Sequence, residues 1–156
     1  MNVEDVLAGK AQPATEAPVA TVSPDETVAQ AVSALKDHNV GALVVSADGS
    51  AMEGIISERD VVRRLADESS AALDRPISEV MTSPVHTCAM SDDLAELAHQ
   101  MTHNRIRHLV VEADGAMVGI ISIGDVVKSR LDQLEAERQR LARENDQITE
   151  YIQTGR

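Results

Sequence analysis

The chain has no tryptophan and no phenylalanine, and its one tyrosine, Tyr151, lies near the end. Stacking of bases on aromatic rings is therefore excluded from the body of the protein, and a planar ligand there has to lie between aliphatic side chains and backbone. The single cysteine, Cys88, permits no internal disulfide. Basic residues are scarce: 14 Lys and Arg against 26 Asp and Glu leave a net charge of -12, which argues against a sequence-independent nucleic-acid surface. No apolar run approaches the roughly 20 residues a membrane-spanning helix needs. The opening, MNVEDVLAGK, carries acids where a signal peptide would carry basic residues. Together these absences predict a cytoplasmic protein with no nucleic-acid partner and no membrane partner.

What is present is a duplication. Gly54-Ile55-Ile56-Ser57-Glu58-Arg59-Asp60 returns 65 positions later as Gly119-Ile120-Ile121-Ser122-Ile123-Gly124-Asp125. The aliphatic pair reads as a buried strand and the serine as a helix N-cap. The aspartate then falls in the first helical turn, where the helix dipole favours a carboxylate. A hydroxyl and a carboxylate three residues apart, beside backbone N–H donors, suit a polyhydroxylated anionic ligand such as a nucleotide. Two ordinary capped helices would explain one such run. Because a cap needs only the hydroxyl, the repetition of both residues argues for a ligand.

From Pro18 and Pro84 onward the halves align at an offset of 66, pairing Thr21 with Thr87, Val28 with Leu94, Leu35 with Met101 and Leu43 with Leu109. After the turns at Asp48-Gly49 and Asp114-Gly115 the offset drops to 65. The patterning predicts a strand near 19–22, a helix over 26–37 packing Val28, Ala31, Val32 and Leu35, strands 42–46 and 52–56, and a helix 58–66. The second copy repeats this with a helix near 92–103 and strands near 107–112 and 117–121. Val3-Glu4-Asp5-Val6-Leu7 and Ile77-Ser78-Glu79-Val80-Met81 are matching lead-ins, one expected for each half. The expectation is a mixed α/β (α+β) fold, β-α-β-β-α twice, with the halves packed about a pseudo-twofold axis and ligand clefts at the matching strand ends. The divisions are 1–17 (helix and connector), 18–70 (first repeat), 71–83 (linker), 84–130 (second repeat) and 131–156 (terminal helix).

That last helix does not stop after Asp125. Val127, Leu131, Leu134, Arg138, Leu141, Asn145, Ile148 and Ile152 alternate in steps of four and three, a heptad seam. With Leu131 at position a, Leu134, Leu141 and Ile148 fall at d, and Arg138 and Asn145 at a. An asparagine at a specifies register and a two-stranded state, so the seam over 127–152 predicts a homodimer.

The two G-h-h-S-x-x-D runs, the V-x-T starts, and the Asp-Gly hairpins preceded by Ala42-Leu43-Val44-Val45 and His108-Leu109-Val110-Val111 resemble the cystathionine β-synthase (CBS) domain family. The resemblance is to a tandem pair with almost nothing else attached and covers roughly 18–128. It implies a non-catalytic regulatory module that binds an adenine nucleotide (AMP, ADP, ATP, NAD or a related compound) as a regulatory ligand rather than a cofactor, and that acts on an unidentified effector protein. It also implies pairing of chains through the repeat faces. Ser57 and Asp60 would hold one ribose and Ser122 and Asp125 the other. Thr21, Val22, Val40 and Ala42 would line the first base slot, and Thr87, Cys88, Ile106 and His108 the second. Arg59, Arg105, Arg107 and His108 are the candidate phosphate contacts, of which Arg107 and His108 match a phosphate-contacting pair in the similar nucleotide-sensing subunit of the AMP-activated kinase family. Gly124 stands where Arg59 does in the other copy, and Gly41 where Arg107 does, so the cations of the two halves are complementary and would converge on a shared patch. Other readings are a zinc site from His86, Cys88, His99 and His103, an acyl-transfer site pairing His108 with Ser122, and an interaction module without ligand.

Overall fold

The computed structural model describes residues 1–10 and 17–155. The connector expected after the first helix falls largely on 11–16, outside the described residues.

The first half runs β1 (Thr21–Val22), α2 (Val28–His38), β2 (Ala42–Val45), β3 (Gly54–Ser57) and α3 (Glu58–Glu68), after a short α1 (Val3–Ala8). The second runs β4 (Thr87–Ala89), α4 (Leu94–Asn104), β5 (His108–Ala113), β6 (Ala116–Ser122) and α5 (Ile123–Thr154). Each half forms a three-stranded sheet in which the first strand pairs parallel with the second and the second antiparallel with the third. The expected β-α-β-β-α order thus appears twice, with a long terminal helix.

Helix starts follow from local chemistry. Thr27 caps α2, with Gln30 reaching back in a capping box, and Asp93 caps α4 through the N–H groups of Ala95 and Glu96. Both helices end on a left-handed residue, Asn39 in α2 and Arg105 in α4. Val28, Ala31 and Leu35 are buried as the periodicity predicts. Val32 lies at the edge of that stripe and is exposed instead.

Strand alternation sorts the core into three parts. Val22, Leu43, Val45 and Ile56 point into the first half with α2 and α3, and Cys88, Leu109, Val111 and Ile121 into the second with α4 and the start of α5. The opposite faces meet. Val19, Val44 and Val110, with Met52, Val85, Met117 and Ile120, form a third cluster. Val19 with Val85, Val44 with Val110 and Met52 with Met117 are equivalent positions of the two copies, and their convergence in one cluster is what a pseudo-twofold relation produces.

The lead-ins differ from expectation: each packs on the other half. Val3 and Val6 are buried in the second core, tied there by Val3 N–H to Asp92 O (3.1 Å) and Glu4 N–H to Met90 O (3.0 Å). Ile77 and Val80 are buried in the first core, and Thr82 exchanges backbone bonds with Ile55 at 2.8 and 2.9 Å. The two motif glycines make the room. A Cβ on Gly54 would stand 2.5 Å from Met81 Sδ and 3.1 Å from Thr82 O, and one on Gly119 2.8 Å from Leu7 Cδ2. Gly54→Ala is therefore expected to cost about 1–3 kcal/mol by overpacking. A denaturation midpoint equal to the parent's would contradict this contact.

Among the described residues no helix is long and apolar enough to cross a membrane.

Candidate functional site

The strand registers put the sequence-selected residues at one end of the seam between the sheets. Ser57 is the register partner of Ala42, and Ser122 that of His108, so both serines lie at the strand ends away from the hairpin turns. Ala42 and His108 share their faces with Val44 and Val110, the residues that join the halves. Thr21 and Thr87 pair with those same two valines and lie on the same faces. Their neighbours Val22 and Cys88 are packed in the separate cores of the two halves, so only their backbone can line a base slot. Ala42 is buried, Val40 and Ile106 are half-buried, and Thr87, unlike Thr21, is exposed.

At each corner the serine and aspartate form a capping box. Asp60 Oδ2 accepts from Ser57 N–H (2.9 Å) and Ser57 Oγ (3.0 Å), while Asp60 N–H donates to Ser57 Oγ (3.3 Å). Asp125 Oδ2 accepts from Ser122 N–H (2.8 Å), and Asp125 N–H donates to Ser122 Oγ (3.1 Å). This corrects the expectation that capping needs the hydroxyl alone: a reciprocal cap uses the acid as well, so helix initiation accounts for part of the doubled motif. The first N–H of each helix is also engaged, Glu58 with Gly41 O (3.0 Å) and Ile123 with Arg107 O (2.9 Å).

The remaining bonds at each corner come from the swapped lead-ins, which sequence reasoning missed. Thr82 Oγ1 donates to Asp60 Oδ1 at 3.0 Å. Lys10 Nζ donates to Asp125 Oδ2 and to Ile120 O, both at 2.7 Å. Burial would raise the Asp125 pKa, but the Lys10 ammonium and the Ser122 N–H outweigh it and hold the carboxyl below its ordinary value.

Arginines from both halves lie close enough to act on one another. Arg107, then Arg63 and Arg105, hold the Arg59 guanidinium below its ordinary pKa, the mark of like charges gathered together. Arg59 and Arg63 come from α3, Arg105 and Arg107 from the approach to β5. Among the described residues none of the four is in an ion pair, whereas Arg64, Arg75 and Arg140 are. Arg105 also holds a left-handed backbone, φ 54°, an uncommon conformation for a residue of its bulk. Arg64 is half-buried and engaged elsewhere, bonding Glu68 and Glu79 O, while Arg63 is exposed.

His108 crosses the seam. A Cβ on Gly41 would stand 3.4 Å from His108 Nε2 and 3.9 Å from Glu58 Oε2, so glycine at 41 leaves space for the other half's imidazole. Burial first, then Lys10, lowers the His108 pKa against the pull of Asp125, Glu58 and Asp60. Its imidazole is therefore harder to protonate than a free one.

The alternative sites are not assembled. His86, His99 and His103 are exposed, and Cys88 is packed in the second core with its thiol pushed up to about 11 by burial. Among the described residues no three potential metal ligands cluster. His108 lies opposite Ser122, but the Ser122 oxygen is taken by Asp125 N–H and Asp125 is turned to the cap. A cavity of about 160 Å³ opens at the hairpin end of the seam, lined by Pro18, Val19, Ser50 and Met117 among others, and touches none of the predicted site residues.

Two interleaved β-α-β-β-α halves, with paired hydroxyl–carboxylate corners at one end of their seam, define a tandem two-repeat module. The family model for the CBS domain matches residues 11–67 and 77–132, and the chain belongs to that family. It is 37% identical over 135 residues to the mitochondrial CBS domain-containing protein CBSX3 of Arabidopsis thaliana, covering 84% of this chain and 62% of that protein, which is thus the longer of the two. Its fold matches the crystal structure of a CBS-domain containing protein from Agrobacterium tumefaciens with a TM-score of 0.75 and 40% identity, over 83% of this chain and 99% of that one. A CBS domain protein of Pyrobaculum aerophilum complexed with AMP matches with a TM-score of 0.65 and 25% identity, over 80% and 89% of the two chains. The mitochondrial relative shows that family membership does not fix the compartment, so the cytoplasmic expectation rests on sequence alone.

Proposed function

We propose that this chain is a non-catalytic regulatory module that binds phosphate-bearing adenine nucleotides at the strand-end corners of its two repeats. The observation that carries this reading is the gathering of Arg63, Arg105 and Arg107 near Arg59, four guanidiniums that have no ion-pair partner among the described residues, in a chain of net charge -12. Holding like charges together is unfavourable unless an anion completes them, and arginine's planar fork matches phosphate oxygens. The AMP complex of the Pyrobaculum aerophilum relative supports the same ligand class.

Ribose hydroxyls go to the acids. A carboxylate has about four lone-pair positions. The capping box occupies Oδ2 at both corners, and Oδ1 remains: among the described residues Asp60 holds there only the exposed Thr82 hydroxyl, which can rotate away, and Asp125 holds no bond there. Adenine lies against Val40, Ala42 and the backbone of Thr21-Val22 in one repeat, and against Ile106, His108 and the backbone of Thr87-Cys88 in the other.

The output passes through a second copy of the chain. On α5, Leu131, Leu134, Leu141 and Ile148 are 61, 53, 53 and 58% exposed, a stripe that the body of the protein does not cover. In a parallel pair the a and d layers close on themselves, Asn145 faces Asn145, and Arg130 at g reaches the partner's Glu135 at e. An effector protein then reads the geometry of that pair.

The reading is tested by mass spectrometry of small molecules released from freshly purified protein, followed by calorimetry with AMP, ATP, NAD and adenosine. Phosphorylated nucleotides are expected to bind more tightly than adenosine and to stabilise the fold by about 2.7 kcal/mol at a hundredfold excess over Kd. Adenosine binding as tightly as AMP removes the support for the phosphate patch, and no thermal shift with any of them favours an interaction module without ligand.

A further inference from the structure

We infer that Lys10 is a ligand-contacting residue of the second cleft, supplying at the Asp125 corner the positive charge that Gly124 removes from the motif. The inference rests on the nucleotide reading and deepens it, because it makes the two clefts chemically different.

The first corner has its cation within the motif, at Arg59, and its acid is bonded by a neutral hydroxyl from Thr82. The second motif has Gly124 at that position. Into this corner the opposite lead-in brings Lys10, 115 residues upstream of the acid it pairs with. The placement is enforced by packing rather than by the ion pair alone. Val3 and Val6 are buried in the second core, Leu7 fills the space left by Gly119, and Lys10 N–H bonds Leu7 O at 3.2 Å.

The donor count suits a sugar. An ammonium has three N–H donors. Two of them are used, on Asp125 Oδ2 and Ile120 O, each at 2.7 Å, and those bonds fix the nitrogen. One donor remains, and among the described residues no hydrogen bond to Asp125 Oδ1 is formed. Both side chains are partly open to solvent, at 32 and 25%. A hydroxyl that donates to Asp125 Oδ1 and accepts from Lys10 Nζ satisfies both groups at once, and a vicinal diol offers that combination.

The test is calorimetry on the full chain with AMP and with 2′,3′-dideoxy-AMP, each also in an Asp60→Asn background that isolates the second cleft. Lys10→Met is expected to weaken AMP at the second cleft at least tenfold, to leave the first cleft unchanged, and to leave dideoxy-AMP nearly unaffected. Lys10→Arg should restore most of the loss. An unchanged second-cleft affinity, a tighter one, or an equal loss for AMP and dideoxy-AMP overturns the assignment while the nucleotide reading stands. Absence of binding of either nucleotide to the parent chain overturns both.

Discussion

Replacing Arg59 and Arg107 together by alanine is expected to weaken AMP binding by about a hundredfold or more, to leave adenosine binding nearly unchanged, and to cause no loss of thermal stability. Hydrogen bonds to charged groups contribute about 1.5–3 kcal/mol each, and 1.4 kcal/mol is a factor of ten. Two such contacts to one phosphate therefore set the lower bound. The stability half of the prediction has the opposite origin. Arg107 is the largest influence depressing the Arg59 pKa, and among the described residues no acid offsets it, so removing the pair relieves a repulsion instead of breaking a bridge. A surface residue kept for structure would behave the other way round. The contrast with Arg75 is instructive: two bonds to Glu68 and one to Glu79 raise its pKa, and Arg75→Ala should cost stability without touching nucleotide affinity. Calorimetry and thermal denaturation on the same samples decide it. If AMP and adenosine weaken by the same factor, the arginines do not hold phosphate.

The duplicated plan was legible because both copies carry their own punctuation. Thr27, Ser57, Asp93 and Ser122 cap four helices through bonds to residues no more than three positions away, and such local chemistry is written in the sequence itself. The heptad register of α5 is equally local. What could not be read was everything that depends on which half a segment packs against. The matching lead-ins were visible as a pattern, but nothing in Val3-Glu4-Asp5-Val6-Leu7 states that Leu7 seats against Gly119 instead of Gly54. Lys10 and Thr82 were missed for the same reason, since each reaches its aspartate only through that exchange. One signal was available: a glycine ahead of an Ile-Ile strand, in both copies, marks a close approach by some other segment. The state of His108 also needed the fold, because its burial and its position beside Lys10 come from the opposite half and the opposite lead-in.

Cutting the chain after Arg130 is expected to abolish dimers at micromolar concentration while leaving the two repeats folded. Val126, at the start of α5, is fully buried and belongs to the second core, whereas every described residue beyond Gln133 is exposed. The helix continues for about 30 Å past the body at 1.5 Å per residue, with no packing partner among the described residues. Four apolar layers from Leu131 to Ile148, interrupted by Arg138 and Asn145 at a, make a seam of moderate strength whose polar members select two strands in parallel register. Arg138→Leu should accordingly tighten the pair and Asn145→Leu should relax its stoichiometry, two changes that a solvated single helix would not transmit to the mass in solution. Light scattering on the truncated chain measures that mass directly, and a persistent dimer would move the contact to the faces of the repeats. The same helix carries Asp125 in its first turn, so in a dimer the second cleft and the seam share one rigid rod. Spin labels near residue 150 should then change their separation when AMP is added to the parent chain. In the Asp125→Ala variant they should not, because a ligand can shift the pair only through contacts that differ between its two arrangements.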